Sequence, residues 1–288
     1  MALRVVRAVL STLSLARTPY LAALAATVSL SAALPNPAAA KKKASPPPAE
    51  EPAGLSIEEI SVMLSSSNAD EVKMAIESSA MLGSPDVAAL LGERIRAGLP
   101  PDLLNSALDA LSLLNQPSSS ELFVSLTRHR RPSVRVRSVQ ALVALHSKDA
   151  EPALVAALGD SAPEVREAAA EGLGHLGSTG STDVLFQAFD RGVVSAGRAI
   201  GKLVSDNQVP RVLEFIGRAP LSSLTPVFDS LLTRRDISEA TKLTIVNSIA
   251  ELGTAEARGY LEGLSQKLPD APPRVRKTID DAVMRIAK

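Results

Sequence analysis

The chain of 288 residues contains no cysteine and no tryptophan, and aromatic residues make up only 2% of it. Without cysteine it can form neither a disulfide nor a thiolate metal site, and it cannot carry a lipid on an N-terminal cysteine. A small globular core usually depends on large aromatic rings, whereas stacked helices can pack through Ala, Leu and Val. These absences favour an array of helices.

An excess of charge of one sign is also missing. The 31 basic and 31 acidic residues leave a formal net charge of 0. Without residues 1–40, which contain three arginines and no acidic residue, the net charge would be about −3. Such a balance provides no general attraction to nucleic acid or to an anionic membrane, so we expect no nucleic-acid partner.

Recognisable catalytic and metal-binding motifs are lacking as well. The sequence has no Gly-rich phosphate loop and no Gly-x-Ser-x-Gly motif. The three histidines, His129, His146 and His175, do not belong to a recognisable metal-ligand pattern. We therefore expect a protein that is not an enzyme and that has no catalytic residue, metal site or cofactor.

The first 40 residues have the pattern of a secretory signal peptide. A basic start is followed by an apolar run from Tyr20 to Leu34 and by three alanines that end at Ala40. The run of about 15 residues is short of the roughly 20 that a spanning helix needs. We expect cleavage after Ala40, no membrane span in the mature chain, and export to the periplasm or outside the cell. The alternative is an uncleaved anchor.

Residues 41–54 are rich in proline and follow the predicted cleavage site directly. Proline favours an extended, semi-rigid chain, and the segment has too few apolar residues to form a core. We interpret it as a disordered linker that precedes the folded part, residues 55–288.

Three stretches of sequence recur at an interval of 31 residues: 101–114, 132–145 and 163–177. Each begins with proline and continues with apolar or small residues at helical spacing. A period of this length is typical of a solenoid, because one helix pair cannot bury its apolar face alone. The pattern predicts fifteen helices between residues 56 and 287, about seven pairs and one unpaired helix, with the pairing interrupted between 193 and 234.

The most complete unit, residues 158–177, resembles the HEAT repeat in its short bacterial form, which is similar to phycobilisome-lyase HEAT-like repeats. It has the sequence Leu-Gly-Asp-Ser-Ala-Pro-Glu-Val-Arg at its start and Leu-Gly at its end. The resemblance extends over roughly 55–288 and is strongest over 101–177. The resemblance implies an all-α solenoid of stacked helix pairs. Because the family consists mostly of scaffolds and adaptors, with a few unrelated enzymes, it indicates the architecture much more specifically than the function.

The resemblance also implies a structural ladder of hydrogen-bonded charges between repeats. Its members in this sequence are Arg135, Asp160, Arg166, Asp270 and Arg276. At two places the pattern departs from the family: Leu104 is apolar at a ladder position, and His129 stands where Arg135 would have its acidic partner. We therefore expect a structural role for these arginines and a ladder that is broken in the middle of the array.

HEAT solenoids line their concave surface with the second helix of each pair, which here implies a polar strip over three repeats. The strip consists of Asn105, Asp109, Arg137, Gln140, Glu167 and Glu171. One interpretation is a docking surface for a partly basic peptide or protein. The other is a solvated helix face without a partner, since exposed faces of helices are usually charged.

Arginine is concentrated between Arg128 and Arg137, where five of ten residues are arginine. Arg128, Arg130 and Arg131 form a basic patch in a predicted turn between helices. Arginine recognises phosphate and carboxylate groups well. The patch is interpreted either as a solvated turn or as a binding site for an anionic polymer.

We thus expect an exported, non-catalytic scaffold or adaptor for a protein or peptide partner. One rival is a lyase-like enzyme or an enzyme accessory factor, as the phycobilisome-lyase resemblance suggests. It would require a concave pocket with clustered ionisable groups. The other rival is a binder of anionic polymers through Arg128–Arg137.

Overall fold

The computed structural model describes residues 54–268 and 271–286. The predicted signal peptide and almost all of the predicted linker lie outside these residues. The described residues form fifteen α-helices and no β-strand, which confirms the predicted all-α solenoid. The helices are α1 Ile57–Leu64, α2 Ala69–Leu82, α3 Pro85–Ala97, α4 Pro101–Leu114, α5 Ser120–Leu126, α6 Pro132–Ala144, α7 Ala150–Ala157, α8 Pro163–Leu176, α9 Thr182–Asp190, α10 Val194–Leu203, α11 Val209–Leu213, α12 Leu221–Thr233, α13 Glu239–Glu251, α14 Ala255–Lys267 and α15 Pro273–Ile286.

The 31-residue repeat corresponds to α4, α6 and α8. Each of these helices begins at its proline, Pro101, Pro132 or Pro163. Proline suits this position because an N–H in the first turn of a helix has no acceptor within the helix, so its absence costs no hydrogen bond. The φ angle of proline is also already helical. The repeated prolines therefore set where each of the three helices begins.

After each of these three helices, at the same position of the repeat, one residue has a left-handed backbone conformation. It is Asn115 after α4, His146 after α6 and Gly177 after α8, with φ values of 48°, 48° and 71°. Glycine adopts this conformation without strain and asparagine tolerates it, whereas histidine has a Cβ and pays a steric cost. His146 is thus a strained residue at a position that glycine fills one repeat later.

The helices form two rows between α1 and α12. We call α2, α4, α6, α8, α10 and α12 the inner row and their preceding partners the outer row. Neighbours in the inner row pack side by side, whereas α5, α7 and α9 in the outer row make few close contacts with one another. Since the inner row is packed more tightly, this part of the array curves with the inner row on its concave side.

The core lies between the rows. Leu111, Leu142 and Leu173 occupy equivalent positions in α4, α6 and α8 and are completely buried. Burying one such side chain stabilises the fold by about 1.5–3 kcal/mol relative to leaving it exposed. Repetition of this leucine therefore extends one continuous core from repeat to repeat.

Glycines allow the closest approach within the inner row. A Cβ on Gly174 of α8 would lie 3.0 Å from the Cα of Ala199 in α10. A Cβ on Gly201 of α10 would lie 2.9 Å from the carbonyl oxygen of Val227 in α12. Because these neighbours are backbone atoms, α8, α10 and α12 can pack this closely only with glycine at the contacts.

The regular pairing is interrupted near α11, which has only five residues. Beyond it, α13 packs chiefly against α15, and α14 also packs against α15. α11 lies inside the interval 193–234 in which the sequence indicated an interruption, whereas the changed packing of α13 lies beyond that interval.

Candidate functional site

Arg135 and Asp160 form a bidentate ion pair between successive repeats. Arg135 Nε lies 2.7 Å from Asp160 Oδ2, and Nη2 lies 2.6 Å from Oδ1. The side chains are only 10% and 13% exposed. Arg135 Nη1 also donates to the carbonyl oxygen of His129. The expectation that Arg135 lacks an acidic partner because His129 replaces it is therefore wrong: the partner comes from the next repeat.

The electrostatics of this pair favour its charged form. Burial alone would raise the pKa of Asp160, but hydrogen bonds from Arg135 and from the backbone N–H of Ala162 hold it below its ordinary value. A carboxylate that accepts several hydrogen bonds is stabilised in its ionised state. The pair is thus a structural element that stays charged at neutral pH.

The other arginines of the predicted ladder contact only backbone carbonyls among the hydrogen bonds of the described residues. Arg166 Nη1 donates to the carbonyl oxygens of Asp160 and Ser161, at 2.8 and 3.0 Å. Arg276 Nε donates to that of Ala271 at 3.2 Å. Asp270 lies outside the described residues. These arginines join each helix to the turn that precedes it, so the contacts form a ladder between repeats at Arg135 but not at Arg166.

The basic cluster is divided among different faces. Arg135 is held by Asp160, and Arg137 forms an ion pair with Asp109 on the inner row. Arg128 and Arg130 are exposed and Arg131 is half-buried. Three arginines, not five, therefore remain together as the basic patch.

Three members of the polar strip, Asp109, Arg137 and Glu167, take part in contacts that join neighbouring helices. Asp109 of α4 pairs with Arg137 of α6. Glu167 of α8 accepts hydrogen bonds from the backbone N–H groups of Val194 and Ser195, at 3.0 and 2.7 Å, where α10 begins. A carboxylate at this place satisfies free N–H groups and interacts favourably with the helix dipole. Glu167 is thus occupied in capping α10 and does not offer its carboxylate to a partner.

The remaining members of the strip differ in exposure. Gln140 and Glu171 are exposed on α6 and α8. Asn105 on α4 is half-buried, and its side-chain oxygen has no hydrogen-bond partner among the described residues. The structure therefore brings only Gln140 and Glu171 together at a common opening.

That opening is a cleft of about 710 Å³ between α6, α8 and α10, which we call the inner cleft. Its apolar wall includes Val143, Ala144 and Ala168, together with Gly172 and Gly174. Its polar side chains are those of Gln140, His146, Glu171, His175 and Lys202. The inner cleft thus combines apolar surface with hydrogen-bonding groups from three successive inner helices.

Two histidines of the inner cleft were not recognised as site residues from the sequence. His175 Nε2 lies 3.9 Å from Glu171 Oε1 across one turn of α8, and both side chains are 52% exposed. His146 is brought in by its left-handed backbone after α6. The spacing of four residues between Glu171 and His175 was a usable signal, whereas nothing in the sequence placed His146 beside them.

The described residues contain no group of three or more His, Cys, Asp or Glu side chains arranged to hold a metal ion. Among the same residues, no helix is both long and apolar enough to cross a membrane.

Residues 120–201 match the family model of HEAT repeats. No curated protein matches the chain significantly in sequence. Among solved structures, it is similar to the complex of CpcE and CpcF of phycocyanin lyase from Nostoc sp. PCC7120, with 19% identity, a TM-score of 0.42, and coverage of 83% of this chain and 97% of that one.

Two further solved structures are similar at lower identity. Kap95p, in its complex with RanGDP, is 14% identical with a TM-score of 0.45, over 80% of this chain and 36% of that one. A designed armadillo repeat protein in complex with the peptide (KR)4 is 14% identical with a TM-score of 0.38, over 79% and 98%.

The family match includes α5 to α9 and most of α10, and with them the initial prolines Pro132 and Pro163 and the Arg135–Asp160 pair. Residues 120–201 therefore consist of HEAT repeats, within a longer all-α array.

Proposed function

We propose that this protein is an exported, non-catalytic scaffold that binds a protein or peptide partner on the inner row of its helices. The observation that carries the proposal is the inner cleft, in which polar groups of α6, α8 and α10 surround an apolar wall. Solenoids commonly use the concave surface of their repeats for binding.

The chemistry of the inner cleft suits a peptide segment. Val143, Ala144 and Ala168 offer contacts to an apolar side chain. Gln140 can donate to and accept from a peptide backbone, and Glu171 can accept from a basic side chain or an N–H group. A site with an apolar wall and a few convergent polar groups is the usual composition of a binding pocket.

Exposed apolar side chains on the first two inner helices support a larger contact surface. Met74 and Met81 of α2 are 53% and 88% exposed, and Leu113 of α4 is 75% exposed. Methionine adapts its shape easily and is common on surfaces that bind peptides. A long partner segment would thus contact the methionines at one end of the inner row and the inner cleft further along.

Export is proposed from the N-terminal sequence pattern alone. Protein recovered from the culture medium or the cell envelope should begin at Lys41 when its N-terminus is sequenced. Recovery of a membrane-bound chain that still begins at or near Met1 would instead establish an uncleaved anchor.

One observation favours a second candidate, a lyase-like activity or small-ligand binding. His146, Glu171 and His175 lie around the same cleft, as an acid–base site would require. We favour the non-catalytic scaffold because the Glu171 and His175 side chains are half exposed to water, whereas a catalytic site usually excludes water from its reacting groups. A small molecule that binds the cleft and is chemically changed by the purified protein would establish the second candidate.

The scaffold proposal is tested by affinity capture from extracts of the source cells. The variant carries Gln140→Arg and Glu171→Arg, which fill the inner cleft, add a positive charge at one exposed position and reverse the charge at another. Its control carries Glu93→Arg and Gln187→Arg, which make the same changes at exposed positions of the outer helices α3 and α9. Circular dichroism establishes that both variants remain folded.

A specific partner should be captured by the unchanged protein and by the control, and at least about tenfold less by the cleft variant. A partner that binds the cleft variant as well as it binds the control would refute the inner cleft as the docking site. If no protein is captured by any bait, the scaffold proposal loses its support.

A further inference from the structure

A second cavity, of about 790 Å³, lies on the other side of the array from the inner row. We call it the outer groove. It is formed between the outer helices α5 and α7, which make few close contacts with each other. Val124 of α5 and Pro152, Ala153 and Ala156 of α7 give it an apolar floor. A groove with such a floor has surface to contact an apolar side chain of a ligand.

Hydrogen-bond donors are concentrated at one edge of the outer groove. Arg128 and Arg130, in the turn after α5, line it, are exposed, and form no ion pair with any described residue. Arg135, deeper in the groove, is already held by Asp160. Two guanidinium groups are therefore available at this edge for a carboxylate or another anion.

His129 adds a neutral donor at the same edge. Its Nδ1 accepts a hydrogen bond from the backbone N–H of Arg131 at 3.1 Å. Burial and the nearby arginines lower the pKa of His129, so the ring is neutral at physiological pH. A neutral ring that accepts at Nδ1 carries its proton on Nε2. His129 thus has an N–H group to donate without adding to the positive charge.

Acidic side chains lie elsewhere around the outer groove. Glu121 at the start of α5 and Asp149 before α7 line it and are exposed. They would repel a ligand that is negatively charged along its whole length. The arrangement therefore discriminates against a uniform polyanion and suits a ligand that has negative charge at one place and apolar groups at another.

We propose that the outer groove binds a protein segment in which an acidic side chain follows or precedes an apolar residue. The carboxylate contacts Arg128, Arg130 and the His129 N–H, while the apolar residue lies on the floor beside Val124 and Ala153. The site is independent of the inner cleft, since it is formed by the other row of helices. One scaffold thereby holds two partner segments on opposite surfaces.

The test is fluorescence anisotropy with labelled synthetic peptides and the whole protein. The probe has the sequence Gly-Ala-Leu-Glu-Leu-Glu-Ala-Gly, and a matched peptide has glutamine in place of both glutamates. Replacing the glutamates should weaken binding about tenfold, since the hydrogen bonds to charged groups are lost. The variant Arg128→Gln/Arg130→Gln should weaken binding of the acidic probe by a similar factor and leave the glutamine peptide unaffected.

The control variant is Arg96→Gln/Arg191→Gln, which removes the same charge at two exposed positions outside the outer groove. It should bind the acidic probe as the unchanged protein does. Equal loss in the control would mean that the effect is general electrostatics, and equal binding of both peptides would overturn the proposal. If heparin binds more tightly than the probe and binds the Arg128→Gln/Arg130→Gln variant less well, the ligand of the outer groove is an anionic polymer and not a peptide.

Discussion

The substitution Asp160→Asn tests the interpretation of the Arg135–Asp160 pair most directly. Asparagine has nearly the same shape, so the change removes the charge and leaves the packing. The Arg135 side chain, only 10% exposed, would then be a positive charge without a counterion. Removing one partner of a buried ion pair costs about 3–5 kcal/mol, a large part of the 5–15 kcal/mol that stabilises a typical domain.

The free energy of unfolding should be measured by urea denaturation with helical circular dichroism as the signal, because the chain has no tryptophan. The matched control is Asp109→Asn, which removes the partner of Arg137 where that carboxylate is 56% exposed. An exposed pair contributes at most about 1 kcal/mol, so the control should change little. Equal losses in the two variants, or a loss below about 1 kcal/mol for Asp160→Asn, would refute the reasoning.

The dependence of the free energy of unfolding on pH tests the same interpretation by a second measurement. The pKa of Asp160 is lower in the folded protein than its ordinary value. A lowered carboxyl pKa stabilises the fold fully above the pKa of the unfolded chain, and this contribution is lost as pH falls through the folded pKa. The stability difference between the unchanged protein and Asp160→Asn should therefore be constant above about pH 5 and shrink below about pH 4.

Three further substitutions, one of them with a matched control, are tested by the same denaturation assay. Glu167→Gln should destabilise the protein by about 0.5–2 kcal/mol, because α10 loses a charged cap, and no change would mean that the capping contact contributes nothing. Gly201→Ala should destabilise the protein by about 1–3 kcal/mol, because the added Cβ would collide with α12. The control Gly259→Ala, where a Cβ meets nothing within 4 Å, should stabilise it by up to about 1 kcal/mol. Similar changes in the two variants would contradict the close packing of α10 and α12. His146→Gly should stabilise the protein by up to about 1 kcal/mol by removing left-handed strain, and a destabilised variant would show that the ring contributes more than the strain costs.

Periodicity was sufficient to predict the fold because its signals are local. A proline at the first turn and a leucine on the core face, such as Pro163 and Leu173, determine where a helix begins and which side it buries. These signals recur every 31 residues, so each copy strengthens the prediction made from the others. The number and order of the helices follow from them.

The contacts between repeats were harder to predict because they depend on the rotation of each helix against its neighbour. Glu167 resembled any exposed carboxylate on a helix, yet it reaches Val194 and Ser195 at the start of α10. Arg135 was expected to lack an acidic partner because His129 stands at that place in its own repeat, whereas the geometry supplies Asp160 from the next repeat. The inner cleft likewise depends on side chains that come together from three separate helices, α6, α8 and α10.

The tight glycine contacts of α8, α10 and α12 and the open spacing of α5, α7 and α9 make the array elastically asymmetric. Backbone atoms already in contact resist further compression, while loosely packed outer helices move apart or together with little loss of contact. When the array bends, we therefore expect the inner row to act as the pivot, so that the distances between α5, α7 and α9 change with the curvature. A ligand bound between α5 and α7 would then fix the angle between two repeats. It would thereby also fix the separation of α6 and α8 at the inner cleft.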